Sequence, residues 1–194
     1  MSFGMPVSDK GIADAIRDAK IRDATKKQKD AERGVVMFAA ASNVGRSRRR
    51  TFPATHSRVI GVHAMTGNGD SASLNPSAEG EHDRLGTLGV GIRLSWRNEA
   101  SYKSGTSYAT PIAAGIAANW IEWLHWAARK EGTTLTRDER DRWRSEDGIR
   151  DIFTKVMSRR HGGDLLFVAP WTLLDPSKDL KDQDIFGRLR TEGI

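Results

Sequence analysis

Two short stretches carry side chains that can do chemistry together. One holds Ser107, in Lys103-Ser104-Gly105-Thr106-Ser107-Tyr108-Ala109-Thr110-Pro111, where small and hydroxyl residues give way to the apolar run Ile112-Ala113-Ala114-Gly115-Ile116-Ala117-Ala118-Asn119-Trp120-Ile121. A hydroxyl at the mouth of a helix meets N–H groups outside the intrahelical ladder and the positive end of the dipole. That setting stabilises an anion forming on or beside a serine. The other stretch is Ser42-Asn43-Val44-Gly45, which closes an apolar run. Its carboxamide offers both an N–H donor and a carbonyl acceptor. By spacing alone each has a plainer reading, Ser or Thr as an ordinary helix cap and Asn before Val-Gly as an ordinary turn, and both readings stay open.

The elements that must position these groups are legible as periodicity. Ile112, Ile116, Trp120 and Leu124, with Ala113, Ala117 and Ile121 beside them, predict one buried helical stripe. Ala114, Gly115 and Ala118 keep the other faces slim, so close packing on more than one side is expected. Val35-Val36-Met37-Phe38-Ala39-Ala40-Ala41 is continuously apolar and begins β-branched, which suits a strand buried on both faces of a parallel sheet. A turn at Phe52-Pro53-Ala54 leads to a short strand over Val59–Ala64, and Gly67-Asn68-Gly69-Asp70 is a tight turn. Leu85–Ile92 predicts a strand and turn approaching Ser107. Its glycine spacing resembles a nucleotide loop only superficially, because no Lys-Ser/Thr follows and no helix opens there. Ahead of these, Ser8 or Asp9 caps a helix with Ile12, Ile16 and Ala19 on its apolar face. Behind them, Thr136 caps a charged helix over Arg137–Arg144 with Trp143 on its apolar side. Ile149, Ile152, Phe153 and Val156 form a second stripe, Leu165–Trp171 reads as a short strand or apolar segment, and the charged tail from Asp175 is expected to be poorly ordered.

Taken together, the string Gly-Thr-Ser-x-Ala-x-Pro followed by a small-residue helix resembles the nucleophile motif of the subtilisin-like serine peptidases, with Ser107 on the reactive position. Ala39-Ala40-Ala41-Ser42-Asn43-Val44-Gly45 resembles the family's Ala-Ala-Gly-Asn-x-Gly block, and Asn43 matches its oxyanion donor. Ser42 departs from the pattern, which has glycine there. Met1-Ser2-Phe3-Gly4 looks like the end of the family's substrate-pairing strand. The resemblance implies an α/β fold, a subtilisin-like three-layer sandwich with a mainly parallel sheet, and a polypeptide substrate. It implies Ser107 as nucleophile and Asn43 as oxyanion donor, acting with the Ser107 backbone N–H. It also implies a substrate cleft edged by Ser2, Phe3, Gly4, Ala39, Ala40, Ala41, Ser42, Gly105 and Thr106.

The resemblance covers roughly residues 1–130, the back half of such a domain. Residues 131–194 are expected to be a charged helical extension packing on it. The family's His-Gly-Thr-x-Val-Ala-Gly block does not occur, so the N-terminal half of the domain, with the triad Asp and His, is expected to be missing. That half is a candidate partner, and an inactive fragment that binds peptides or a partner is the alternative reading. None of His56, His63, His82, His125 or His161 carries the family context, and His125 lies about 27 Å along the helix from Ser107.

Composition bounds the rest. The chain has 194 residues, enough for one domain with a core, and no cysteine, so disulfides and cysteine nucleophiles are excluded. Its net charge of +6 invites a nucleic-acid reading. The basic residues are scattered apart from Arg46-Ser47-Arg48-Arg49-Arg50, which reads as a solvated loop, and no nucleic-acid partner is expected. No run approaches the ~20 apolar residues of a membrane span, and no membrane association is expected. No cofactor or metal ligand set is assigned, and the compartment is left open.

Overall fold

The computed structural model describes residues 1, 3–25, 35–78, 80, 84–130, 135–160, 163–173 and 182–194. The first helix, α1 (Lys10–Thr25), opens where Asp9 Oδ1 accepts the Ile12 N–H at 2.9 Å, as expected for a carboxylate cap. Three strands follow, β1 (Phe38–Ala40), β2 (Ile60–Met65) and β3 (Leu85–Leu88), then a hairpin of β4 (Ile92–Trp96) and β5 (Glu99–Lys103). The long helix α2 (Thr106–Arg129) precedes α3 (Arg137–Trp143) and α4 (Glu146–Asp151), which runs into a π-helical turn over Ile152–Val156. Strands β6 (Ser158–Arg160) and β7 (Leu166–Val168) and helix α5 (Asp182–Thr191) complete the order.

The main sheet runs β1-β2-β3-β7-β6, with the first four strands parallel and β6 antiparallel. Strand alternation divides its side chains between two faces. Phe38, Ile60, Val62 and Ala64 join the large core under α2, whereas Ala39 packs with Ile16 of α1, Phe52, Ala54 and Val59 on the opposite face. Helices therefore cover both faces, and the fold is α/β with a mainly parallel sheet.

The buried stripe of α2 is displaced from the expected one. Ala109, Ala113, Ala117, Trp120, Leu124 and Ala127 are buried, while Ile112 and Ile116 are only half-buried. The cause is close approach at the helix start. A Cβ at Gly89, just past β3, would stand 2.7 Å from the Ala64 Cβ and 2.9 Å from the Ala109 Cβ, so only alanine and glycine fit between helix and sheet. The larger Trp120 and Leu124 are buried farther along. Gly115 and Ala118 are exposed, so no second close packing is made there by the described residues.

Two elements differ from expectation. The β4–β5 hairpin was not apparent from the sequence, because its two-residue turn is Arg97-Asn98 rather than a glycine pair. Both residues adopt positive φ, 51° and 65°, as a hairpin turn of this twist requires. Within the tail expected to lack order, α5 buries Ile185, Phe186 and Leu189. Phe186 stacks on the fully buried Trp143 at 5.7 Å, and the Trp143 Nε1–H donates to the Ile194 carbonyl at 2.9 Å. Trp143 lies in the helix that Thr136 caps, in a reciprocal capping box with Glu139. Ile149, Ile152, Phe153 and Val156 are buried as the stripe predicts. The residues after 130 thus contribute helices and also two strands of the main sheet.

Candidate active site

Strand β1 ends at Ala40, and the loop after it meets the N-terminus of α2, beyond the carboxyl ends of the parallel strands where open α/β sheets place their ligands. Thr106, 63 positions along the chain from Asn43, joins the two. Its backbone N–H donates to Asn43 Oδ1 at 2.9 Å and its hydroxyl donates to the same oxygen at 3.0 Å. A backbone N–H only donates, so the carboxamide atom facing it must be the oxygen. The amide nitrogen is thereby turned the other way, and among the described residues it donates to no acceptor. Behind Thr106, the Gly105 N–H donates to the Gly89 carbonyl at 2.8 Å, which ties the mouth of α2 to the end of β3.

Asn43 and Ser107 line one cavity of about 440 Å³. Phe3, Gly4, Ala40, Ser42 and Thr106 line it with them, so these expected cleft residues come together. Ala39 and Ala41 do not reach it: both are fully buried, Ala39 against the α1 side of the sheet. Gly105 stands just behind the wall, where an added Cβ would lie 3.2 Å from Asn43 Nδ2. Ser2 lies outside the described residues. The wall also contains Pro6, Val44, Arg48 and Thr51, which the sequence reading did not single out. A motif search cannot find them, since Arg48 looks like one more cation in a basic loop.

None of the described histidines lines this cavity. His56 packs edge-on against Phe52 and its Nδ1 accepts the Arg58 N–H, and His125 lies beside Arg144 and Glu122. His63 is fully buried, with Nδ1 3.2 Å from the Leu85 carbonyl. His82 and His161 lie outside the described residues. No group of three or more potential metal ligands occurs among the described residues. No helix among them is long and apolar enough to cross a membrane.

Ser42, where the resemblance expects glycine, has φ 124°. L residues rarely adopt that region, and holding one there costs about 1–3 kcal/mol. Ser42→Gly is therefore expected to stabilise the fold by about 1 kcal/mol net of the glycine entropy, read as a raised urea midpoint with unchanged m-value.

The sequence profile of the subtilase family, peptidase S8, matches residues 1–153. The chain belongs to the subtilase family. The match runs beyond residue 130, where the recognisable motifs end. An extracellular basic protease of Dichelobacter nodosus is 30% identical over 135 residues, 66% of this chain and 20% of that protein. A thermostable alkaline protease of Halalkalibacterium halodurans is 37% identical over 86 residues, 44% of this chain and 23% of the relative. A minor extracellular protease of Bacillus subtilis is 31% identical over 119 residues, 61% of this chain and 16% of the relative. This subtilase chain thus spans less than a quarter of the length of each of these relatives.

Proposed function

We propose that this chain carries the nucleophile and the oxyanion donors of a subtilisin-type serine endopeptidase, acting on polypeptides. The observation that supports this most is the shared cavity of Ser107 and Asn43, with the Asn43 amide turned by Thr106 so that its nitrogen is left to donate. In this reading the Ser107 Oγ attacks the peptide carbonyl carbon and gives its proton to a general base. The carbonyl oxygen becomes an oxyanion, held by Asn43 Nδ2–H and by the Ser107 N–H, which lies in the first turn of α2 where no intrahelical acceptor exists. Collapse breaks the C–N bond as the protonated base gives its proton to the departing nitrogen, which leaves as the amine, and an acyl group stays on Ser107 until water removes it. The base and its orienting acid, the triad His and Asp, are expected to be absent from this chain, which by itself is expected to be a weak catalyst at most.

The absence of a described histidine from the cavity favours a second reading, a peptidase-like fragment that binds peptides without cleaving them. Labelling with a fluorophosphonate, mapped by mass spectrometry, separates the two. A phosphonyl adduct on Ser107 supports the peptidase reading, and peptide binding without an adduct, even when imidazole supplies the base, supports the other.

A further inference from the structure

The cavity wall carries a charge that the proposed reaction does not use. Among its lining residues Arg48 is the one ionisable side chain, and no carboxylate accompanies it. Its guanidinium makes no ion pair or hydrogen bond among the described residues, and its main chain is held by Arg48 N–H to the Gly45 carbonyl at 3.2 Å and by Ser77 N–H to the Arg48 carbonyl at 3.2 Å. The loop is therefore anchored while the side chain is available to a ligand. Thr51 lines the same wall, but its hydroxyl oxygen is turned onto Gly4 and closed off from the cavity.

Resting on the peptide-cleft reading of this cavity, we propose that Arg48 is a specificity-determining residue for an acidic side chain, so that the site selects peptides carrying glutamate or aspartate beside the bond presented to Ser107. A carboxylate accepts from the guanidinium, which offers a charge-assisted fork. A Lys or Arg side chain in the same place would face like charge. The chain's net charge of +6 adds attraction for acidic peptides at a distance.

The test compares affinities by calorimetry on the full chain at low salt. The ligands are end-blocked Ala-Ala-Ala-Glu-Ala, its Gln analogue, and acetyl-Ala-Ala-Ala-Gln with a free C-terminal carboxylate. Arg48 is exposed, so the expected advantage of the Glu peptide over its Gln analogue is about fivefold. It should shrink with added salt and fall to near unity in Arg48→Gln. Equal affinities, a preference that survives Arg48→Gln, or tightest binding by the free-carboxylate peptide would overturn the assignment. Failure here is separable from failure of the peptidase reading. Ser107 labelling with no Glu preference removes the acidic pocket alone, whereas an Arg48-dependent Glu preference without labelling supports the pocket and removes the catalytic role.

Discussion

Asn43→Ala is expected to slow phosphonylation of Ser107 by about 10²–10³-fold, the loss that follows removal of one oxyanion donor. The same change should lower unfolding stability by about 1–2 kcal/mol, because the Thr106 N–H and hydroxyl both lose their acceptor. Asn43→Asp separates the two roles. A carboxylate keeps an acceptor for Thr106, so stability should hold, yet it places negative charge where the oxyanion forms and should slow labelling at least as much. Second-order labelling rates and urea midpoints for the three proteins make the comparison. A rate that follows stability across the series would assign Asn43 a structural role only.

Acid should weaken the fold through His63. Burial, aided by the nearby Arg50 charge and opposed by the Leu85 carbonyl, lowers its pKa from 6.5 to about 4. The unfolded chain takes up a proton there below about pH 6.5, while the folded chain resists until about 4. The unfolded state therefore binds more protons across this window, and stability falls as pH falls from 6.5 to 4, then levels out. The gap corresponds to about 3 kcal/mol. Nε2 of His63 is buried without a partner, so the neutral ring gains nothing there that offsets the charging cost. His63→Leu removes this titration and fills similar space. Urea midpoints at pH 7 and pH 4 should show the parent losing about 3 kcal/mol more than the variant. Parallel losses in the two proteins would contradict the burial account.

Much of the site's framework was legible because it rests on local pattern. The continuous apolar run over Val35–Ala41 contains a strand buried on both faces, β1, and the helix beginning at Thr106 follows from the apolar spacing after it. What could not be seen were distances across the chain. Ala39, Ala41 and Ser42 are neighbours in one motif, yet strand alternation and the approach of α1 send the two alanines into the interior and leave Ser42 on the cavity. The displaced stripe of α2 has a similar origin. Hydrophobicity favoured its isoleucines, but the 2.9 Å that would separate a Gly89 Cβ from Ala109 lets only small side chains face the sheet there. Helix α5 was hidden by its charge, since its few apolar residues gain order from residues far away in sequence, Trp143 and Trp123 packing on Phe186. Arg48 was masked by its own neighbours, Arg46, Arg49 and Arg50 of an otherwise unremarkable basic loop.

The most direct test of the convergence of Ser107 and Asn43 supplies the base from solution. Neutral imidazole can take the Ser107 proton in place of a histidine that the described part of the cavity does not provide. The full chain is incubated with a fluorophosphonate over a range of imidazole concentrations, and the adduct is mapped by mass spectrometry. Labelling confined to Ser107, rising with neutral imidazole, absent in Ser107→Ala and depressed in Asn43→Ala, is the predicted result. No adduct at any imidazole concentration, or labelling of other serines at the same rate, would contradict the assignment of this cavity as a nucleophile site.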